Sequence, residues 1–203
     1  MLVVTLAWTG LYACGRRKAV PNPWGQPGHN SGPIKDPDEL RAALDWGKAN
    51  AQNAQKALDD LYVVTRNTKN LTNRIRIQTR WSRLALHAAE RRNSSQEPDP
   101  ETVEQTLKGP PLTITLTRQG LKKDLVSRID MFLVQGDQRA YAPEFRQGTP
   151  RPVEDGGRTI AYEADLEGDF QLTDLNLRKS ATLTARLDDG SLIDFDIPLF
   201  RLK

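Results

Sequence analysis

The chain has 203 residues, enough for one large domain or two small ones, and 29 Lys+Arg against 26 Asp+Glu give a formal charge of +3. That sum hides an asymmetry: residues 1–100 carry 15 basic and 9 acidic side chains, whereas residues 101–203 carry 14 and 17. One Cys excludes an intrachain disulfide and a Cys-rich zinc site, and two His in the whole chain argue against a His-based metal or acid–base centre.

Met1 to Ala13 is uncharged, and the first charge is Arg16. Thirteen residues make about 20 Å of helix, short of the ~30 Å hydrocarbon core, so a transmembrane helix is not expected. The length does suit the apolar core of a secretory signal peptide. Leu11-Tyr12-Ala13-Cys14 resembles the lipobox of bacterial lipoproteins, in which cleavage precedes a Cys that becomes lipidated; Leu11, Ala13 and Cys14 fit, and Tyr12 is bulkier than the pattern prefers. The resemblance spans residues 1–14 alone. It implies lipidation of Cys14 and a membrane-anchored, periplasmic place in the cell envelope. Leu2 to Trp8 equally has the composition of a β-strand, with Cys14 then an ordinary small apolar residue.

Residues 15–36 hold four Pro and four Gly and read as a linker, either a tether or an arm laid over a partner subunit. Asp36-Pro37-Asp38-Glu39 is a helix start, with an Asp N-cap, Pro in the first turn and acids at the positive end of the dipole. From there to Arg92 there is no Pro and one Gly, so residues 37–92 form the expected α-helical region. Leu40, Leu44, Gly47, Ala51, Ala54, Leu58 and Leu61 repeat at 3-4 spacing, with small residues in the middle that let another helix approach closely. The Thr- and Asn-rich stretch 65–73 interrupts the pattern. The expectation is two helices, about 37–66 and 72–92, joined in a hairpin; a coiled coil built on one long rod is the alternative.

Between Asp60 and Glu90 no acid occurs, and Arg66, Lys69, Arg74, Arg76, Arg80 and Arg83 fall in the interval. On a helix, Arg76, Arg80 and Arg83 share a face. Such a face suits an anionic surface, whether nucleic-acid phosphate, acidic headgroups or an acidic protein. It equally suits a solvated face that pairs with the acidic C-terminal half.

Residues 93–111 read as a second linker containing a short helix from Pro100, capped by Asp99. Beyond Pro111 the period becomes two: Leu112, Ile114 and Leu116 alternate with Thr113, Thr115 and Thr117. Further strands are expected at 129–134, 158–166, 170–177, 181–187 and 191–197, the last two joined through Asp188-Asp189-Gly190 as a hairpin with a left-handed Gly. Residues 136–157 read as a long irregular insertion whose Arg139, Tyr141, Phe145, Arg146 and Arg151 have the composition of a partner-binding loop, with a floppy surface loop as the alternative. Asp165, Glu167 and Asp169 alternate as the solvent face of a strand would, without EF-hand spacing.

The fold class expected is therefore α+β, an N-terminal α-helical hairpin or coiled coil followed by a small antiparallel β-sandwich over residues 112–203. No nucleophile elbow, phosphate-cradling glycine loop or metal-binding His pair occurs, so no catalytic residue, metal or cofactor is expected. The function expected is a non-enzymatic interaction or scaffold protein whose partners are other protein subunits, attached to a membrane through a lipid anchor on Cys14. A nucleic-acid-associated or virion structural protein using the basic segment is the alternative.

Overall fold

The computed structural model describes residues 37–202, apart from 69, 70, 124, 127, 128 and 188. The expected lipobox with Cys14, the first linker and Lys69 lie outside the described residues. The elements in chain order are α1 (Pro37–Ala49), α2 (Ala54–Tyr62), β1 (Val63–Thr68), β2 (Leu71–Thr79), α3 (Arg80–Asn93), α4 (Pro100–Lys108), β3 (Leu112–Gly120), β4 (Asp130–Gln135), β5 (Gln138–Tyr141), β6 (Phe145–Gln147), β7 (Arg151–Asp155), β8 (Arg158–Phe170), β9 (Ser180–Arg186), β10 (Leu192–Pro198) and a 3-10 turn over Leu199–Arg201. The fold is mixed α+β with two antiparallel sheets. One runs β1-β2-β3-β8, with β6 and β7 both on the far side of β8; the other runs β10-β9-β4-β5.

The helical region expected over 37–92 is corrected. The first helix stops at Ala49: Asn50 makes a last i→i−4 backbone bond to the Trp46 carbonyl at 3.0 Å, its side-chain Nδ2 caps the same carbonyl at 2.8 Å, and the chain then turns with the Asn53 N–H donating to the Asn50 carbonyl at 2.8 Å. A second helix restarts at Ala54 and ends at Tyr62, where Val63-Val64-Thr65, β-branched throughout, enters a strand. The Thr/Asn-rich stretch belongs to the facing ends of strands β1 and β2, not to a helix–helix corner; the two strands pair antiparallel from Val63–Arg76 to Thr68–Leu71. Arg74-Ile75-Arg76-Ile77 alternates with period two: Ile75 and Ile77 are buried and the two Arg are exposed.

The small-residue seam does bring a helix close, but the partner is α3, two strands further on. A Cβ built on Gly47 would lie 2.0 Å from the Ala85 carbonyl oxygen and 2.9 Å from the Ala88 Cβ. Beside this contact the Trp46 and Trp81 rings pack with centroids 5.3 Å apart. The N-cap of α3 is Thr79, whose hydroxyl accepts from the Ser82 N–H while Ser82 Oγ accepts from the Thr79 N–H. Helix α4 begins at Pro100 with Asp99 as its N-cap, accepting from the Thr102 N–H at 3.0 Å.

Alternation governs both sheets. In the larger one Ile75, Ile77, Leu116, Ile114, Leu166 and Phe170 are buried on one face, in registered rows such as Ile75–Leu116–Leu166. In the smaller one Met131, Leu133, Leu183, Ala185, Phe195 and Ile197 are buried. All belong to one hydrophobic cluster, continuous with the α1–α3 contact through Trp46, Trp81 and Leu84. Burying each such aliphatic side chain stabilises the fold by about 1.5–3 kcal/mol.

Two expectations in the C-terminal half are corrected. Residues 136–157 are not one irregular insertion but carry the strands β5, β6 and β7, which lead the chain from the edge of the smaller sheet to the edge of the larger. Strand β8 runs unbroken to Phe170, which ends it rather than opening the strand expected at 170–177; residues 171–179 are turns and irregular chain. The β9–β10 hairpin does turn through a left-handed glycine, Gly190 at φ +78.

Candidate functional site

The basic segment is not one surface. Register places Arg66 beside Asn73 and Arg118, on the sheet face that carries Ile75, whereas Arg74 and Arg76 stand on the opposite face. Arg76 forms an ion pair with Asp59 at 3.3 Å. Arg80 donates from Nε to the Gly109 carbonyl at 3.0 Å, and Arg83 donates to Thr113 Oγ1 at 3.0 Å and to the Pro110 carbonyl. Burial lowers the pKa of both guanidinium groups, although Asp169 partly offsets this for Arg83. These two side chains secure the end of α4 and the start of β3. The shared helix face expected for Arg76, Arg80 and Arg83 does not exist, because Arg76 is on a strand.

The residues expected to form a partner-binding loop are divided among three places. Arg146 on β6 and Arg151 on β7 lie on the polar face of the larger sheet, over the alternating acids of β8. Arg146 donates from Nε to Glu167 at 2.9 Å and from Nη1 to Asp169 at 2.7 Å. Arg151 donates from Nη2 to Glu163 at 3.1 Å and to Asp165 at 3.0 Å. From the other side the β3 threonines donate: Thr113 to Asp169 and Thr117 to Asp165, both at 2.7 Å, and Thr115 to Glu167 at 3.3 Å. The carboxylates are thus held between a row of hydroxyls and a row of guanidiniums. The bond from Arg146, then the bond from Thr113, hold the Asp169 carboxyl below the usual carboxylate range, against an opposing effect of burial. This array clamps the β6–β7 segment onto β8. Phe145, paired with Gly168 and turned to the apolar face, packs its ring edge 2.9 Å from where a Gly168 Cβ would stand, with the Ala142 Cβ 3.1 Å from the same point.

Arg139 and Tyr141 are on β5, the edge strand of the smaller sheet, and share its outer face with Phe132 and Val134 of β4. Tyr141 lies directly opposite Phe132, with ring centroids 5.6 Å apart and planes tilted by 36°. The Arg139 guanidinium sits 5.6 Å from the Phe132 ring centroid. Tyr141 is 57% exposed. Further across the same face come Thr184, donating to Asp194 at 2.7 Å, and the Arg186–Asp130 ion pair. Phe132 is the member of this patch that the sequence reading missed. Its signal was the alternation of Met131 and Leu133 with Phe132 and Val134, obscured because all four are apolar.

Among the described residues no group of three or more His, Cys, Asp or Glu side chains is placed to hold a metal ion, and no helix is long and apolar enough to cross a membrane. No family model and no curated protein matches the chain. A solved structure of a novel protein of unknown function from Burkholderia pseudomallei is similar at 12% identity, over 80% of this chain and 91% of that one, with a TM-score of 0.37. A TM-score this low leaves fold and function to be read from the chain itself.

Proposed function

We propose that this chain is a non-enzymatic interaction protein that binds another protein subunit at the β4–β5 edge. The observation that carries the reading is Tyr141, a large aromatic side chain 57% exposed yet held in place against Phe132 on an edge strand, with Arg139 beside it. Tyr and Arg supply much of the binding energy at protein interfaces, and an edge strand offers backbone hydrogen bonds to an incoming strand. In this reading an extended segment of the partner lies along β5, with Tyr141 as the anchor. The facing apolar sides of the two sheets support a β-sandwich as the module that holds this edge rigid. The lipobox resemblance supplies the location: Cys14 is lipidated, and the body works as a scaffold or accessory subunit at the cell envelope, with residues 15–36 as its tether. The basic segment does not favour a nucleic-acid reading, since Arg76, Arg80 and Arg83 are engaged and the exposed Arg66 and Arg74 lie on opposite faces.

Size-exclusion chromatography of detergent-extracted native material tests this. Wild type is expected to elute in a larger assembly, and the double variant Tyr141→Ala, Arg139→Glu as the smaller, dissociated species. Identical elution of the two would overturn the reading. Cys14→Ser should move the protein out of the membrane fraction; unchanged fractionation would remove the lipid anchor and leave the interaction edge standing.

A further inference from the structure

The smaller sheet ends on two edge strands, β5 and β10, and every pairing between its strands is antiparallel. With four strands, the two edges run in opposite directions. Two copies side by side in one orientation therefore bring β5 of one antiparallel to β10 of the next. The backbone is set for such a junction. In an antiparallel ladder, pairs that exchange hydrogen bonds alternate with pairs whose N–H and C=O groups point away from each other. The two-residue turn through Gly136, at φ +60, closes on the hydrogen-bonded pair Gln135–Gln138, so the Val134–Arg139 and Phe132–Tyr141 pairs are of the second kind. Arg139 and Tyr141 thus aim their backbone groups at the open edge. At the other hairpin the Leu187 carbonyl accepts from the Gly190 N–H at 3.0 Å and the Leu187 N–H donates to the Ser191 carbonyl at 2.9 Å. By the same alternation Leu192, Asp194 and Asp196, paired with Arg186, Thr184 and Thr182, aim their backbone groups outward.

The side chains of these five residues stand on the outer face, and the two edges are complementary. One offers a cation and an aromatic ring, Arg139 and Tyr141; the other offers Leu192, 59% exposed, and the exposed carboxylates of Asp194 and Asp196. Among the described residues Arg139, Asp194 and Asp196 form no ion pair, although Asp194 accepts from Thr184. Two β10 edges brought together would set carboxylate against carboxylate. We propose that the partner on β5 is a second copy of this chain, which adds its β10 strand antiparallel to β5, with Tyr141 opposite the partner's Leu192 and Arg139 opposite the partner's Asp194. This pairing rests on the reading of β5 as an interaction edge. Both opposed pairs exchange backbone hydrogen bonds and keep their side chains together on the outer face. The contact uses a different strand from each copy, so every chain keeps one edge open and association continues head to tail.

Sedimentation velocity of the purified full chain, in the detergent that extracts it, tests this over a range of concentrations. Wild type is expected to grow in mass with concentration. Arg139→Glu and Asp194→Arg should each raise the concentration of half-association by about tenfold or more, because each sets like charges across the junction. An equimolar mixture of the two variants should associate again, since junctions between them restore opposite charges. If Asp194→Arg alters the far-UV spectrum, Leu192→Asp is read in its place and should weaken association on its own. Wild type that stays monomeric at every concentration overturns the second copy as the occupant; the β5 edge is then judged separately on native material, where Tyr141→Ala, Arg139→Glu reports a partner of any kind. Association lost with Arg139→Glu but untouched by Asp194→Arg assigns β5 to the β5 strand of another copy and overturns the β10 pairing. So does a mixture that stays dissociated.

Discussion

Gly47 shows how a single side chain sets the spacing of two helices. Alanine is the better helix former by about 1 kcal/mol. At this position its methyl group would fall 2.0 Å from the Ala85 carbonyl oxygen, a backbone atom that cannot rotate away. Gly47→Ala is therefore expected to destabilise the protein by about 1–3 kcal/mol, measured as a lower urea midpoint. Asp169 is governed by charge instead. Its carboxyl is held below the usual range by Arg146, so its contribution to stability is fully present above the ordinary Asp pKa of about 3.9 and is lost as pH falls through the depressed folded value. Arg146→Met should cost about 1 kcal/mol at pH 7 and progressively less as pH falls below the ordinary Asp range, as urea midpoints measured across that range will report. Tyr141→Ala, by contrast, removes an exposed ring and is expected to shift the urea midpoint by less than about 0.5 kcal/mol, which separates a role in binding from one in folding.

At the scale of elements, what was legible depended on whether one period stood alone. The Leu112–Thr117 alternation, the Asp99-Pro100 helix start and the Gly190 hairpin each carry an unambiguous local signal, and β3, α4 and β9–β10 follow from them. The segment 63–79 carried two signals. Its Arg residues fit a helical face, while Ile75 and Ile77 fit a strand, and pairing with β3, which no local pattern reveals, decides for the strand. The aromatic patch proposed to bind was legible in half. Arg139 and Tyr141 stand out by composition, but Phe132 joins them only through β4–β5 register. Arg146 and Arg151 looked like the same kind of contact residue until β8 supplied their carboxylates. Helix α4, packed less deeply than α1 or α3, depends more on its cap, so Asp99→Ala is expected to cost about 1 kcal/mol and to raise amide hydrogen exchange in Thr102 to Gln105 ahead of the rest of the fold.

In the whole molecule, the charge asymmetry between the halves resolves locally. The acidic surplus of residues 101–203 is met on β8 by Arg146 and Arg151 of the same half, and Arg76 pairs with Asp59 of its own half. The expected pairing of a basic helix with an acidic domain is therefore not how the two halves join; Arg83, reaching Thr113 beside Asp169, is the link of that kind on the polar face. What joins them is the sheet itself, since β1 and β2 from the first half extend the sheet of β3 and β8. On the smaller sheet, β4–β5 pairing sets the Tyr141 ring against Phe132. The central claim is that this patch meets a partner protein, and site-specific photo-crosslinking in the native host tests it most directly. p-Benzoylphenylalanine in place of Tyr141 should give one discrete adduct, absent when the same probe replaces Ile160, which is 54% exposed on β8. Adducts of equal yield from both positions, or none from position 141, would contradict it.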